Sequence, residues 1–149
     1  MKLVVQRVRH ASCTIDGEIY SKIGNGYMVL VGLGEQDDEK IVSKMAAKLI
    51  KLRVFEDENG KMNLALKDVG GSILSISQFT LYADASKGNR PSFTGALKAE
   101  FSKPLYLFFN QELRKEGVVV EEGIFGADMK IDLLNDGPIT IILDSKELF

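Results

Sequence analysis

The chain has 149 residues, of which 45% are hydrophobic and 27% charged, and its formal net charge at pH 7 is −2. This composition is typical of a globular protein and excludes a disordered chain, and the length suits one domain. The net negative charge argues against a broad nucleic-acid-binding surface. The longest apolar run, Tyr27–Leu33, is too short to span a bilayer, and one cysteine excludes an internal disulfide. We therefore expect a single cytoplasmic domain without a membrane segment.

The first half of the chain predicts several strands and one helix. Asp16-Gly17 lies between two alternating apolar stretches and is typical of a hairpin turn. Asp37 or Asp38 is a candidate N-cap for an amphipathic helix. In chain order we predict strands over Met1–Ala11, Ala11–Ile15, Glu18–Ile23 and Tyr27–Gly32, a helix whose apolar positions begin at Ile41 and which runs to about Lys51, and a short extended Val54-Phe55.

The second half predicts further strands around a second helix. Pro104 suits the first turn of that helix, where its missing N–H costs nothing, and Gly117 ends it. Gly137-Pro138 is compatible with a plain hairpin turn or with a cis peptide. We predict strands over Ser72–Tyr82, Val118–Glu121, Phe125–Leu134 and Ile139–Leu143, a loop over Ala83–Gly95, and a helix over most of Ser102–Lys115. The fold class is therefore α/β, with more strand than helix.

The charged residues are distributed unevenly along the chain. Residues 35–40 contain four carboxylates and one lysine, whereas residues 86–103 are basic overall. Such a run is ordinarily a solvated face. A local basic loop can nevertheless bind a few phosphates without making the whole protein basic. The basic residues of the second segment are Lys87, Arg90, Lys98 and Lys103, against Glu100.

The sequence lacks the motifs of several enzyme classes. Gly32-Leu33-Gly34 has no third glycine of a dinucleotide loop, and no Gly-Lys-Ser/Thr phosphate loop is present. A Ser–His–Asp arrangement would depend on His10, the only histidine, and a zinc site cannot be built from it and Cys13 alone. We interpret both as structural residues, with Cys13 buried. No metal site and no cofactor is predicted.

A polar residue inside an apolar strand is more informative. Gln78 lies between Ile73–Ile76 and Leu81, and as a strand residue it would share one face with Thr80. An amide in such a place is costly unless it is hydrogen-bonded or opens onto a pocket. From this stretch alone both alternatives stay open.

Six short motifs, taken together and in order, resemble the D-aminoacyl-tRNA deacylase family, which removes D-amino acids from mischarged tRNA. Each motif is weak alone, but together they span residues 6 to 140 without a departure from the family's pattern. The stretch Thr94–Phe101 is less similar, and we infer no function for it from the resemblance. The motifs are Gln6-Arg7-Val8, Gly60-Lys61-Met62-Asn63-Leu64, Ser77-Gln78-Phe79-Thr80-Leu81, Arg90-Pro91-Ser92-Phe93, Ala127-Asp128-Met129 and Asn135-Asp136-Gly137-Pro138-Ile139-Thr140.

The resemblance implies a fold, an assembly and a reaction. The fold is a barrel-like, mostly antiparallel β-sheet with two main flanking helices. The assembly is a homodimer with active sites at the subunit interface. The reaction is hydrolysis of the ester bond of D-aminoacyl-tRNA, and of mischarged glycyl-tRNA. A non-catalytic RNA-binding module and a purely structural dimer are the rival classes, but the chain has no tryptophan and no broad basic surface for stacking on RNA.

The resemblance also implies roles for individual residues. Ser77, Gln78, Phe79 and Thr80 match the catalytic pocket. Gly137 and Pro138 match a Gly-cisPro motif that enters the partner subunit's pocket, and Arg7 matches a residue that holds this motif in place. Positions close to the pocket are matched by Phe125 and Met129. Candidates for binding the tRNA acceptor end are Lys87, Arg90 and Lys98.

The chemistry implied by these matches is selection by the main chain. Two adjacent carbonyls of Gly137-Pro138 would hold the substrate ammonium, so that the L form, and not the D form, points its side chain into protein.

Thr80 as a covalent nucleophile would need a base. We favour instead main-chain N–H groups around Phe79-Thr80 that stabilise the oxyanion, with attack by water, assisted by the neighbouring ribose hydroxyl, while Gln78 orients the substrate or water.

Overall fold

The computed structural model describes residues 1–149, and its helices and strands follow in chain order. The strands are β1 (Lys2–Ile15), β2 (Glu18–Ile23), β3 (Gly26–Gly32), β4 (Arg53–Glu56), β5 (Met62–Ala65), β6 (Ser72–Ser77), β7 (Val120–Glu122) and β8 (Lys130–Asp144). The α-helices are α1 (Glu39–Lys51), α2 (Ala99–Lys115) and α3 (Ser145–Leu148), and two 3₁₀ helices span Leu66–Val69 and Phe79–Tyr82. None of the helices has the length and apolar character that crossing a bilayer requires.

Six strands form one barrel-like sheet around β1. The order is β2-β1-β3-β6-β7, and β8 pairs with the other edge of β1. β1 is antiparallel to β2, β3 and β8, whereas β3–β6 and β6–β7 are parallel. β4 and β5 form a separate antiparallel hairpin. The predicted α/β fold with a mostly antiparallel, barrel-like sheet is confirmed.

The sheet has an apolar layer on each face. Tyr27 and Val29 of β3 point to the larger cluster, which α1 and α2 cover with Met45 and Phe109. Met28 belongs to a second cluster on the opposite face, since successive strand residues alternate. Members of this smaller cluster are Val8, Ala11, Cys13, Ile23, Met28, Leu74 and Ile76. Cys13 is therefore buried, as predicted.

The first half of the chain matches its predicted elements closely. Asp16 and Gly17 both have positive φ, as a tight hairpin turn requires, and Asp38 is the N-cap of α1, accepting a hydrogen bond from the Ile41 N–H at 2.9 Å. The two predicted strands that meet at Ala11 form the single strand β1. β5, the 3₁₀ helix at Leu66–Val69 and α3 were not predicted.

The predicted strand Ser72–Tyr82 is wrong in its second half. β6 ends at Ser77, and Phe79–Tyr82, here called the site helix, is a 3₁₀ helix. The chain turns because Gln78 donates its N–H to the Val31 carbonyl and accepts a hydrogen bond from the Leu81 N–H. Gly32 permits this turn, since a Cβ there would lie 3.0 Å from Leu81 Cβ.

The predicted place of Pro104 in α2 is also wrong. The helix begins at Ala99, with Lys98 as its N-cap residue, so that Pro104 lies in the second turn. Proline is tolerated there because the carbonyl that loses its partner belongs to Glu100, which is exposed to water.

The last two predicted strands are one strand in the structure. β8 runs from Lys130 to Asp144, and its register against β1 shifts between Gln6 and Val8 and again between Val8 and Ala11. Asn135–Pro138, here called the Gly-Pro bulge, lies within the strand and is not a hairpin turn. Residues 125–129 precede the strand as a turn and are not part of it. β7 is Val120–Glu122, slightly later than predicted.

Candidate active site

A cleft of about 300 Å³ opens where β6 ends. Five of the residues named from the sequence line it, namely Ser77, Gln78, Phe79, Phe125 and Met129. The remaining wall is mostly apolar, with Val31, Leu33, Ile76, Leu97 and Ile131. The cleft therefore offers an apolar pocket with few polar groups, the usual composition of a small-molecule site.

Gln78 both lines the cleft and is hydrogen-bonded within the protein. Its Nε2 donates to Thr80 Oγ1 at 2.5 Å. Thr80 itself is exposed and does not line the cleft. His10 is exposed on β1, forms no hydrogen bond through its side chain and is not a cleft residue, so no imidazole assists Thr80.

The start of the site helix presents two adjacent main-chain donors. The first hydrogen bond of the helix runs from the Leu81 N–H to the Gln78 carbonyl, at 3.3 Å. The N–H groups of Phe79 and Thr80 precede this bond and have no acceptor in the protein. Two adjacent free donors, one of them on Phe79 in the cleft wall, are suited to stabilise a developing oxyanion.

Two residues of α2 form the floor of the cleft. Ser102 and Tyr106 lie one helical turn apart and both line it. The Tyr106 hydroxyl donates to the Ser75 carbonyl at 2.7 Å, and burial raises the pKa of this phenol, which therefore stays protonated. Neither Ser102 nor Tyr106 is predicted from the sequence as a cleft residue. The only indication in the sequence is that each places a polar atom on the buried face of α2.

Arg7 is buried beneath the Gly-Pro bulge. Its Nη1 donates to the Val54 carbonyl at 2.7 Å, and its Nε donates to the Asp136 carbonyl at 3.1 Å. From the other side, Asn135 Nδ2 donates to the carbonyls of Arg7 and Ile139, at 2.9 Å each. Main-chain atoms on both sides of Gly137 are therefore held, by a buried guanidinium on one side and a half-buried amide on the other.

The tip of the bulge is exposed and sterically demanding. The Gly137-Pro138 peptide is cis, and both residues face solvent. Gly137 has a φ of 128°, and a Cβ there would lie 2.8 Å from Ile139 Cγ1 and 3.3 Å from Arg7 Nη2. Glycine is required at this position because a side chain would meet both a strained backbone and its neighbours.

The bulge and the cleft lie far apart within one chain. The cleft wall includes Ile131 of β8, which lies four residues before Asn135, where the Gly-Pro bulge begins. The separation between cleft and bulge is therefore about 13 Å along this strand. Of the predicted site residues, Arg7, Gly137 and Pro138 are not brought to the cleft of their own subunit.

The basic segment lies beside the cleft. Lys87 and Arg90 are exposed and form no ion pair, in the loop Ala83–Gly95 that an antiparallel bridge between Asp84 and Ser92 closes at its base. Just past Ser92, the Phe93 ring packs edge-on against that of Phe79 at 5.1 Å, so that the loop touches the rim of the cleft. Lys98 is exposed at the N-terminus of α2, next to Leu97, which lines the cleft.

Comparison with known proteins defines the class to which this fold and cleft belong. The family model described as D-Tyr-tRNA(Tyr) deacylase matches residues 4–144. A D-aminoacyl-tRNA deacylase of Lactobacillus delbrueckii subsp. bulgaricus is 58% identical over 144 residues, which cover 97% of this chain and 99% of the relative. The D-aminoacyl-tRNA deacylase of Lactobacillus acidophilus is 55% identical over the same coverage.

Solved structures share the fold. One described as c-Myc DNA Unwinding Element Binding Protein superposes with a TM-score of 0.92 and 44% identity, over 97% of this chain and 98% of its own. A probable eukaryotic D-amino acid tRNA deacylase superposes with a TM-score of 0.80 at 18% identity, over 95% and 97% of the two chains. The class is that of the aminoacyl-tRNA deacylases. The chain belongs to the D-aminoacyl-tRNA deacylase family, as its motifs predict.

Proposed function

We propose that this protein hydrolyses the ester bond of D-aminoacyl-tRNA in the cytoplasm and releases the free D-amino acid and tRNA. The observation that carries the proposal is the pair of adjacent free N–H groups, on Phe79 of the apolar cleft and on the next residue, Thr80, in a chain of this family. An ester is already activated compared with an amide. The site therefore needs oxyanion stabilisation and positioning more than a strong nucleophile.

In the proposed mechanism, water attacks the ester carbonyl carbon and the carbonyl oxygen becomes an oxyanion near the two N–H groups. Collapse of this intermediate breaks the bond to the ribose oxygen, which takes up a proton and leaves with the tRNA. The neighbouring ribose hydroxyl assists the proton transfer, and Gln78 orients the substrate or water. Thr80 is a poor nucleophile here, because its hydroxyl accepts from Gln78 and no base adjoins it.

Selection against L-aminoacyl-tRNA is assigned to the Gly-Pro bulge of a second subunit. The carbonyls of Gly137 and Pro138 would bind the substrate ammonium, which fixes the α-carbon and directs an L side chain into main-chain atoms. Support comes from the exposure of the bulge, its absence from the cleft of its own chain, and the buried Arg7 that holds it. Glycyl-tRNA has no side chain to exclude, so that it too is a substrate.

The proposed active unit is therefore a homodimer with two-fold symmetry, in which each subunit completes the site of the other. Lys87, Arg90 and Lys98 bind phosphates of the tRNA acceptor end. This proposal is supported by their exposure, their lack of ion pairs and the contact of Phe93, in the same loop as Lys87 and Arg90, with Phe79 of the cleft. A few phosphate contacts suffice, because each one releases condensed counterions.

The activity is tested by incubating the purified protein with D-tyrosyl-tRNA, L-tyrosyl-tRNA and glycyl-tRNA and following the release of amino acid. We expect rapid hydrolysis of the D-aminoacyl and glycyl esters and none of the L-aminoacyl ester above the spontaneous rate. Binding of tRNA without hydrolysis would indicate the RNA-binding alternative, and neither binding nor hydrolysis would indicate a structural protein.

Completion of the site in trans is tested by mixing two inactive variants, Gln78→Ala and Gly137→Val. A heterodimer of the two contains one intact site, formed by the cleft of the Gly137→Val subunit and the bulge of the Gln78→Ala subunit. After unfolding and refolding at equal concentrations, about half of the dimers are mixed, and about a quarter of the wild-type activity should return. No recovery, with mixed dimers shown by mass spectrometry, would contradict the arrangement.

A further inference from the structure

The mechanism proposed above depends on the position of the Phe79 and Thr80 N–H groups. These two residues begin the site helix, and Tyr82 ends it. We propose that Tyr82 is a positioning residue of the active site, whose half-buried ring sets the position of the site helix and hence of its two free donors. This inference rests on the proposed function. It assigns no contact between Tyr82 and the substrate.

The edge of the Tyr82 ring lies directly against main chain. A Cβ added to Gly34 would lie 2.7 Å from Cε1 and 2.8 Å from Cζ of this ring, which is closer than real side chains approach. Further along the same edge, a Cβ added to Gly95 would lie 3.7 Å from Cδ1, an ordinary contact. The two glycines belong to adjoining segments, because Gly34 forms a β-bridge with Ala96.

The face and the hydroxyl of the ring are also occupied. The Lys2 ammonium lies 4.8 Å from the ring centroid, in a cation–π contact. The hydroxyl lies 3.5 Å from Asp37 Oδ2, which also accepts from the Gly34 N–H at 2.7 Å. Burial and the neighbouring Asp37 raise the pKa of Tyr82, so that its hydroxyl stays a donor. The ring is therefore held at one edge, at one face and at its hydroxyl, and it also borders a second cavity of about 320 Å³.

Displacement of Tyr82 is transmitted to the donors because the site helix is one short unit. It contains four residues, Phe79–Tyr82, and the Ala83 N–H donates back to the Thr80 carbonyl at 3.0 Å. Between them, Leu81 packs on Gly32, where a Cβ would lie 3.0 Å from Leu81 Cβ, and its carbonyl lies 3.5 Å from Lys2 Nζ. No flexible residue separates Tyr82 from Thr80.

The decisive experiment compares Gly34→Ala with the matched control Gly95→Ala. The added methyl at Gly34 must move the ring or the main chain by about 0.7 Å to restore a 3.4 Å contact, whereas the methyl at Gly95 fits without movement. Misplacement on this scale costs up to about 100-fold in the chemical step. We expect Gly34→Ala to lower kcat by about 10- to 100-fold with KM changed by less than about threefold, and Gly95→Ala to change kcat by less than about twofold.

Substitutions of the ring itself separate positioning from general stability. Tyr82→Phe keeps the ring and loses only the hydroxyl, so that we expect it to retain more than about a fifth of kcat. Tyr82→Leu loses the ring and its contacts with Gly34 and Lys2, and it should resemble Gly34→Ala. Thermal unfolding of each variant shows whether it is folded at the assay temperature.

A second readout does not depend on activity. Amide ¹H–¹⁵N spectra of the wild type, Gly34→Ala and Gly95→Ala should show shifted Phe79 and Thr80 resonances in the first variant only. Unchanged Phe79 and Thr80 resonances in a folded Gly34→Ala variant would overturn the positioning role, whatever the activity. An inactive wild type would overturn the proposed function instead, and the two failures are thereby distinguished.

Discussion

The guanidinium of Arg7 donates to the main-chain oxygen of Asp136 at 3.1 Å. Asp136 immediately precedes Gly137, where a side chain cannot be accommodated. The same guanidinium donates to the Val54 carbonyl at 2.7 Å and lies 5.9 Å from the centroid of the Phe55 ring. One buried side chain thus joins the hairpin β4–β5 to the Gly-Pro bulge. A planar group with several fixed donors suits this task better than a single ammonium does.

Arg7→Lys should therefore damage both stability and selectivity. Lysine cannot satisfy the Val54 and Asp136 carbonyls together, and an unsatisfied buried carbonyl costs about 1–3 kcal/mol. We expect a loss of that size in the free energy of unfolding, measured by urea denaturation, and weaker discrimination between D- and L-tyrosyl-tRNA. The matched control is Arg9→Lys, since the Nε of Arg9 lies 3.2 Å from Asp136 Oδ2 but 69% of its side chain is exposed. A control loss above about 1 kcal/mol would show that burial is not the cause.

Thr80→Ala should keep easily measured activity, because main-chain donors and not the hydroxyl are proposed to act. The substitution also frees the Gln78 amide, which donates to Thr80 Oγ1, so that a fall in kcat of up to about tenfold is expected. Single-turnover hydrolysis of D-tyrosyl-tRNA measures it. A loss of about 10⁴-fold in a folded variant would return Thr80 to the role of nucleophile.

Main-chain selection predicts a specific pattern of substrate discrimination. The preference for D- over L-alanyl-tRNA should be much more than about 100-fold, because main-chain atoms move less than side chains to accommodate an L side chain. The side chains of an ordinary hydrophobic pocket discriminate by only about 1–3 kcal/mol per methylene. D-alanyl-tRNA and glycyl-tRNA should react at similar rates. Gly137→Ala should block the D substrates, since its Cβ would approach Ile139 Cγ1 to 2.8 Å.

The control for this prediction is a truncation inside the cleft. Met129→Ala removes a side chain that lines the cleft without altering the Gly-Pro bulge, and it should leave the rejection of L-alanyl-tRNA intact. If this truncation admitted the L substrate, side chains and not main chain would set the selectivity.

The basic residues should contribute through charge alone. The double variant Lys87→Gln, Arg90→Gln should weaken binding of all tRNAs alike and reduce the slope of log Kd against log salt by about one for each phosphate that is no longer neutralised. The matched control is Lys40→Gln, Lys48→Gln, whose lysines are exposed on the surface of α1. A salt dependence equal to that of the wild type would identify the basic loop as an ordinary solvated face.

Elements with one dominant local signal could be predicted from the sequence. The hairpin turn at Asp16-Gly17, the N-cap Asp38 and the continuous strand β3 each carry such a signal, and the structure has all three. The site helix was missed because Phe79–Tyr82 has the apolar composition of the strand before it. Its turn is specified by a distant contact, the hydrogen bond from Gln78 to Val31, and by the absence of a side chain at Gly32.

The candidate site was predictable as a set of residues but not as a geometry. Motif matches named Ser77–Phe79, Phe125 and Met129, which do share one cleft. Ser102 and Tyr106 were missed because a polar atom on a helix face has no local signature that distinguishes a cleft floor from a satisfied core position. Their role depends on which strand end α2 packs against, which is a property of the whole fold.

The register between β1 and β8 determines how insertions and deletions affect this protein. Gln6 pairs with Thr140, and Val8 pairs with Asn135. One residue of β1, Arg7, therefore lies opposite residues 136–139 of β8. A single residue inserted into β1 before Arg7 would turn its side chain to the opposite face of the sheet and remove the support of the bulge. The exposed tip of the loop Ala83–Gly95, inside the bridge between Asp84 and Ser92, by contrast tolerates a change of length better than β1 does. Length variation among working versions of this chain should therefore concentrate in that loop and be absent from the first strand.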